Sequence, residues 1–409
     1  MPPSDLDLLI IGAGPAGLAA GMAALENGRS VCVLERGEPT ARRERSRPQD
    51  LVSGVGGAGL YSDGKFSFAP SATALWTLEP SDALREAYEW VTASLREGGL
   101  NPPPFPSGGL LGAEPTHAVK AYPSEYMTLD ERIRLIRKLE DGLGDRLIAG
   151  TDALLRTEPG GVLAVCEGKQ LRARAAVIAS GRFGPLQYTH GLSSRFRRVE
   201  IGMRIEQDAS RFALDAYPFG SLLDPKWIRR SVDGRLEWRT FCCCRRGEVI
   251  ETRFDDLVTV SGRADGPPTD RSNVGLDVRF LNLDDAAEAL ARVSAAAHVE
   301  PIRIGATELT ADPSSSLVAD RLGLRVALAL ADGLQAFAAD FDADLSDALL
   351  HLPAIEGVGY YPSVDSTLKV APGIWAAGDA TGIFRGLVPA LVSGRLSGLS
   401  VAKSLVDPR

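Results

Sequence analysis

The feature that most constrains this chain is Gly12-Ala-Gly14-Pro-Ala-Gly17, set between an apolar run, Leu6 to Ile11, and an Ala/Leu-rich stretch that stops at Asn27-Gly28. A second apolar run, Ser30 to Leu34, follows. Unbroken apolar runs suit strands covered on both faces, and Asn-Gly is a helix stop. The first 35 residues therefore read as a β-α-β unit. The first glycine allows the tight turn, the second lets a pyrophosphate approach the backbone, and the third lets helix and strand pack closely. The helix start, with about +0.5 of partial charge, faces the phosphates. Glu35 ends the second strand, where an acid accepts from ribose hydroxyls and disfavours a 2′-phosphate, hence NADP. It does not separate FAD from NAD.

At 409 residues the expectation is two or three domains. Hydrophobic residues at 44% and charged residues at 24% exclude wholesale disorder, collagen and coiled coil. A net charge of −8 argues against a nucleic-acid partner. Five cysteines, an odd number with three consecutive, are no disulfide framework and fit a reducing compartment. Asp5 and Asp7 stand where a secretion signal needs basic residues. The apolar stretch from Val326 to Phe341 is broken by Asp332, Gly333 and Asp340, too interrupted to span a bilayer. A cytoplasmic location is the expectation.

Along the chain, residues 40–50 are basic and irregular, and Gly54 to Gly64 is too glycine-rich for a regular element. A helix is expected from Ser81-Asp82 to about Arg96, then a proline-rich breaker, Asn101 to Pro106. Thr128 and Glu131 have capping-box spacing at the start of a second helix, whose apolar side is Ile133, Leu135, Ile136 and Leu139. Short strands are expected from about Leu147 to Ile178 and over 196–280. Further helices are expected from Asp284, as cap, to about Ala297, over 317–340, and from Leu387 to Leu405. No solenoid repeat is present.

Two remote segments repeat the pattern of a strand running into a tight turn: Ala176-Val-Ile-Ala-Ser-Gly-Arg-Phe-Gly184 and Gly373-Ile-Trp-Ala-Ala-Gly-Asp-Ala-Thr-Gly382. Asp379 can accept from a ribityl hydroxyl or simply close an Asx turn. A plain NAD dehydrogenase has no reason to combine these with Glu35. In order and spacing, residues 12–17 with Glu35-Arg36, 176–184 and 373–382 resemble FAD proteins of the glutathione-reductase-like superfamily. More narrowly, Gly54-Val-Gly-Gly-Ala-Gly-Leu-Tyr-Ser-Asp-Gly-Lys65, Thr240-Phe-Cys-Cys-Cys244 and Gly378-Asp-Ala-Thr-Gly with Arg385-Gly-Leu-Val388 resemble a largely uncharacterised family of FAD-dependent dehydrogenases. The chain departs from that family after its cysteines, where Arg245-Arg246-Gly247 stands in place of Pro-Gly-Gly.

The resemblance implies an α/β fold: a discontinuous Rossmann-type FAD domain from residues 1–75, 120–190 and 350–409, and a mixed-sheet substrate domain over 191–349. It assigns to the cofactor Gly12, Gly14, Pro15, Ala16, Gly17, Glu35 and Arg36. From the second glycine loop it adds Gly56, Gly57, Ser62, Asp63, Gly64 and Lys65, with Asp63 and Lys65 near the flavin ring. Ala153, Ser180, Gly181, Gly378 and Asp379 follow. Gly386, Leu387 and Val388 open a helix that, in the superfamily, points at the flavin N1–O2 edge, and Arg385 stands just before it. No second β-α-β fingerprint and no C-x-x-C pair exist, so neither a dedicated NAD(P)H domain nor a disulfide reductase is expected. The implied activity is FAD-dependent dehydrogenation or oxidation of a small organic substrate, by hydride transfer to flavin N5, with NAD(P)H or a protein electron carrier as a transient donor. The alternatives are an alkene reductase resembling geranylgeranyl reductases, an FAD monooxygenase, disfavoured because Ala179-Ser180-Gly181 replaces the usual Asp-Gly, and a flavin-binding protein without turnover.

No catalytic residue is identifiable from the sequence. On a regular strand, Cys242 and Cys244 share one face and Cys243 the other. They read chiefly as buried strand residues, then as pocket-lining, then as redox or metal groups. His117, His190, His298 and His351 have no metal spacing, and no metal site is expected. Tyr360-Tyr361 either packs in the core or borders the flavin. Arg42, Arg43, Arg45 and Arg47 either cover FAD phosphates or form a solvated face.

Overall fold

The computed structural model describes residues 6–78, 81–106, 117–120, 122–166, 168–188, 192–215, 222, 224–294 and 300–405. The chain divides into two compact units, one of residues 1–112, 122–195 and 361–409, the other of 113–121 and 196–360. The stretch 76–112, outside the expected division, belongs to the first, and the strand Leu349–Pro362 runs past the expected boundary at 350.

The first unit is built on an eight-stranded sheet. Its parallel centre runs Ile374–Ala376, Lys169–Ile178, Leu6–Ile11, Val31–Leu34 and Leu147–Ile148. Ile11 is in register with Leu34 and Ile178, and Ile178 with Ala376. All three motif strands thus end at one level, and their turns leave the same carboxyl edge, where open α/β sheets bind ligands. A hairpin, Leu154–Glu158 and Gly161–Cys166, adds antiparallel onto Lys169–Ile178. Cys32 and Cys166 lie in an apolar cluster with Leu9, Ile11, Leu34 and Ile178, so both act as small hydrophobes. Burial pushes the Cys32 thiol up to about 11, with help from nearby Cys166.

The first helix, Pro15–Glu26, and the closing helix, Leu387–Ser404, pack in parallel. A Cβ on Gly394 would lie 2.0 Å from the Ala16 carbonyl oxygen, so only glycine permits this approach. The helix Leu129–Leu143 opens on the expected capping box: Glu131 N–H donates to Thr128 Oγ1 at 3.3 Å and Thr128 N–H to the Glu131 carboxylate at 2.7 Å. The Gly54–Gly64 loop is not wholly irregular, because Gly57–Leu60 closes one helical turn.

The second unit holds a seven-stranded sheet, in order Ile302–Gly305, Leu349–Pro362, Ser194–Asp208, Arg271–Phe280, Leu236–Cys244, Lys226–Arg230 and His117–Lys120. One face is apolar (Ile201, Met203, Val274, Leu276, Val278), and its Trp238 indole donates to the Ala329 carbonyl of the helix Leu324–Phe341 at 2.8 Å. The expected helix over 317–340 is two helices, Leu317–Leu322 and Leu324–Phe341, broken where Gly323 takes φ 98°. The expected cap Asp284 lies inside the first turn of Leu283–Ser294; Asn282 Oδ1 accepts from Asp285 N–H at 2.9 Å instead.

Candidate flavin site

At the carboxyl edge of the first unit's sheet, Gly12 N–H donates to Leu34 O at 2.8 Å and Ala179 N–H to Ile11 O at 2.8 Å. A Cβ on Gly12 would sit 2.6 Å from Ala179 O, which presses the turns of the first and second motifs together. Gly14 is different: its missing Cβ would make only an ordinary contact, with Gly57 Cα at 3.8 Å, so the two glycine loops meet here without a clash. Neither the first nor the closing helix has a side-chain cap, and each carries a proline in its first turn. The amides of Ala16, Gly17, Leu387 and Val388 are therefore the donors each helix start offers. The two starts lie together, since Gly59 packs on both Pro15 and Leu387. Ser180 Oγ is buried in the turn of the second motif, against Gly184, with no hydrogen-bond partner among the described residues. Two uncapped helix starts, two glycine turns in contact and an orphaned hydroxyl fit a dinucleotide's phosphates and polar ring edge.

Glu35 is buried, and its carboxylate accepts three main-chain amides: Ala13 at 2.7 Å on Oε2, Gly37 and Gly54 each at 2.9 Å on Oε1. Of about four acceptor positions on two oxygens, three tie the glycine turns together. Its expected bond to ribose hydroxyls has one position left.

Two arginines hold the second glycine loop: Arg43, read from the sequence as a phosphate cover or a solvated residue, and Arg132, which the sequence did not single out. Arg43 is buried and donates to Asp50 O, to Val55 O at 2.6 Å and to Gly57 O at 2.9 Å. Burial pulls its pKa down to about 10. Arg132, also buried, donates to Leu60 O and Ser62 O at 2.9 Å and to Met127 O at 2.7 Å. Arg43 is thus neither a solvated residue nor a direct phosphate cover. Its neighbour Arg42 is exposed and pairs with Glu38, and Arg47 pairs with Glu44. Arg132 gave no signal because it lies on a helix far along the chain and resembles any surface arginine.

The remaining expected residues are placed as follows. Gly56 and Gly57 face the Gly12–Gly17 turn: Gly56 N–H donates to Ala13 O at 2.8 Å. Ser62 Oγ donates to Gly59 O and accepts from Gly64 N–H, while Asp63 accepts from Lys65 N–H, so both side chains shape the loop itself. Lys65 opens a short strand paired with Ser124–Tyr126. Arg36 donates to Gln187. Ala153 is buried in the apolar cluster beneath the sheet. Asp379 accepts from Arg385 Nε at 3.2 Å and pairs with Arg182 Nε at 3.5 Å, which joins the second and third motifs through one carboxylate. Tyr361 is fully buried, its ring against Gly382, whereas Tyr360 is exposed and meets Phe196 edge-on.

The cysteine trio departs from strand alternation. A register shift between Phe241 and Cys244 leaves them paired to Gly275 and Asn273, residues of one face. Cys242 sits in the bulge with φ 43°. Cys244 thus takes the place of Cys243 on the Phe241 face, because the extra residue resets the alternation. All five cysteines are free, and burial pushes the Cys243 thiol up to about 11. His351 Nε2 meets the Glu206 carboxylate at 3.0 Å; the side chain of His117 and all of His190 and His298 lie outside the described residues. No cluster of metal-ligating side chains and no helix long and apolar enough to cross a membrane exists among the described residues.

The family model described as FAD dependent oxidoreductase matches residues 7–212, half of the chain. Two digeranylgeranylglycerophospholipid reductases of Methanopyrus kandleri are similar to it. One is 27% identical over 246 residues, 56% of this chain and 53% of the relative. The other is 28% identical over 228 residues, 55% of this chain and 52% of the relative. The chain spans about half the length of these relatives. Among solved structures, a geranylgeranyl bacteriochlorophyll reductase-like protein of Thermoplasma acidophilum has a TM-score of 0.40 at 12% identity, with 98% of this chain and 79% of that one covered. A flavoprotein/dehydrogenase of Cytophaga hutchinsonii has a TM-score of 0.38 at 13% identity, with 98% and 79% covered. The chain belongs to the FAD-dependent oxidoreductase family: it is an enzyme of mixed α/β fold whose cofactor is FAD.

Proposed function

We propose that this enzyme is a dehydrogenase or oxidase of a small organic substrate, of the glutathione-reductase-like kind. Bound FAD would accept hydride at its N5 atom. The observation that carries the reading is the common level at which the Leu6–Ile11, Lys169–Ile178 and Ile374–Ala376 strands end, beside two uncapped helix starts. In this reading, the Ala16 and Gly17 amides bind the pyrophosphate, and Leu387 and Val388 offer amides to the flavin N1–O2 edge. Gly14, Gly56 and Gly57 let the cofactor lie close. The last free acceptor position of Glu35 takes a ribose hydroxyl. Arg43 and Arg132 act one step away, by holding the loop carbonyls so that the loop keeps its shape without cofactor. Residues 191–349 supply the substrate contacts, and oxygen or a protein electron carrier takes the two electrons from reduced FAD, while NAD(P)H as donor belongs to the reductive reading below.

The relatives named as prenyl-lipid reductases support a second reading, reduction of an alkene. Anaerobic stopped-flow mixing separates the two. Rapid bleaching of oxidised FAD by a small-molecule donor, with oxygen uptake or carrier reduction on return, supports the first. Reduction only by NAD(P)H or a carrier, with reoxidation by a prenyl alkene, supports the second.

A further inference from the structure

The sheet of the second unit has two unlike faces. Opposite its apolar face, the register aligns Glu200, Gly202, Arg204 and Glu206 with Arg279, Asp277, Gly275 and Asn273. Next to these stand Glu237, Arg239, Phe241 and, past the bulge, Cys244. The two ends of this face are ion-paired. At one end Arg279 bridges Glu200 and Glu237, and Glu237 meets Arg230 at 2.9 Å. At the other, Glu206 meets His351 at 3.0 Å.

The middle is not. Arg204 is fully buried, yet among the described residues it forms no ion pair with any carboxylate. Its Nε donates to Asn273 Oδ1 at 2.8 Å and its Nη2 to the Cys242 carbonyl at 2.8 Å, and the Phe241 ring lies 5.6 Å from it. Its Nη1 has no partner, nor does Nδ2 of Asn273, which is fully buried as well. Next in line on the same face, buried Asp277 has an unpartnered Oδ1. A buried cation without a counter-charge is strongly unfavourable, and so is each unmet donor. Holding Asn273 Oδ1 and the bulge carbonyl accounts for Nε and Nη2. It accounts for neither the charge nor Nη1, and a neutral amide side chain could hold a carbonyl. The bulge adds to the case: Cys242 takes a positive φ that a non-glycine residue seldom adopts, and that conformation goes with its carbonyl lying on Arg204.

We propose that Arg204 and Asn273 form an anion-binding point, and that the substrate of this enzyme carries a carboxylate. The guanidinium supplies the charge, and Nη1 with the Asn273 amide supplies the donors for carboxylate oxygens. The proposal rests on the reading of this unit as the substrate-binding one, and it names a polar, charged substrate rather than a prenyl hydrocarbon.

The test is calorimetric titration of the FAD-loaded enzyme with acetate, benzoate and succinate, against acetamide, benzamide and inorganic phosphate. At least one carboxylate should bind, with its matched amide at least about tenfold weaker, 1.4 kcal/mol. Asn273→Asp is the decisive variant. It gives Arg204 an internal counter-ion, so it should weaken that carboxylate at least about tenfold while FAD content and melting temperature hold or rise. Arg204→Lys, which keeps the charge but loses the fork, should retain part of the affinity, and Arg204→Gln none. Equal binding of carboxylate and amide, tighter binding of phosphate than of every carboxylate, no binding at all, or an affinity unchanged by Asn273→Asp would each overturn the proposal, the last by leaving an internal water as the partner of Nη1. A protein that holds FAD but binds no carboxylate leaves the proposed function standing. One that binds carboxylate through Arg204 while no donor reduces its FAD does the reverse.

Discussion

Glu35→Gln is the perturbation whose size follows most directly from the structure. Oε1 accepts two amides, Gly37 and Gly54, and Oε2 accepts one, Ala13. Glutamine has one oxygen. Its best orientation keeps Gly37 and Gly54 and sets its own NH2 against the Ala13 N–H, donor against donor. Leaving that buried amide unmet costs about 1–3 kcal/mol. The two retained bonds lose their charge assistance, roughly another 1–2 kcal/mol together. The sum, about 2–5 kcal/mol, corresponds to a fall of about 4–10 °C in the melting temperature of a unit of this size. Because Ala13 belongs to the Gly12–Gly17 turn, FAD affinity should fall with it. Thermal melts of apoprotein and FAD-loaded protein, read by circular dichroism, separate the two effects. An apoprotein melt equal to wild type, with weaker FAD binding alone, would show that Glu35 serves the ribose and not the turns. Wild-type values for both would refute the reasoning altogether.

Further outcomes follow from other sites. Arg132→Met should strand the Leu60, Ser62 and Met127 carbonyls and destabilise the apoprotein by about 3–5 kcal/mol, measured by urea unfolding. Gly386→Val puts a β-branched residue at φ 106° before the closing helix and should lower bound FAD and shift the flavin potential; wild-type values would mean that this helix does not serve the flavin. Cys243→Ser should leave the rate of flavin reduction within about tenfold of wild type, and no thiolate charge-transfer band should develop below pH 10, because burial holds this thiol neutral. Burial, then Glu200 and Glu356, push Asp277 up to about 8 against the pull of Arg239 and Arg279. The folded state therefore holds a proton that the unfolded chain has lost. Its stabilising contribution is full below about pH 4 and is lost as pH rises to about 8. Asp277→Asn should flatten that fall in melting temperature between pH 4 and 8.

Much of the first unit was legible because its signals are local. A strand, a glycine turn and a helix stop all show within the 22 residues from Leu6 to Asn27, and the capping box at Thr128 needs only three positions. The α/β fold and FAD followed from three such segments in the right order. Contacts across the chain were not legible. Nothing near Arg132 announces that its guanidinium reaches carbonyls some 70 residues earlier. Glu35 was read for the ligand it could bind, not for the three amides it already holds. The one-residue bulge at Cys242 inverted the expected faces of the cysteines, because a bulge is fixed by the partner strand. The charged face of the second sheet was hidden for the same reason. Alternation marks which residues share a face, but only register shows that Arg204 stands beside Asn273 and Gly275 across the ladder, between the two ion-paired ends.

The most direct test of the central claim, that the two glycine loops and two helix starts together hold FAD, is the FAD dissociation constant of wild type and of Gly14→Val. The apoprotein melt serves as a control on folding. A Cβ on Gly14 would make only an ordinary contact, 3.8 Å from Gly57 Cα, so valine should leave the apoprotein folded and yet crowd the cofactor's approach to the turn. Wild type should bind FAD and not FMN, and Gly14→Val should melt near wild type with FAD affinity reduced at least about a hundredfold, 2.8 kcal/mol. FAD bound equally well by both, or a wild type that prefers FMN, would contradict the account.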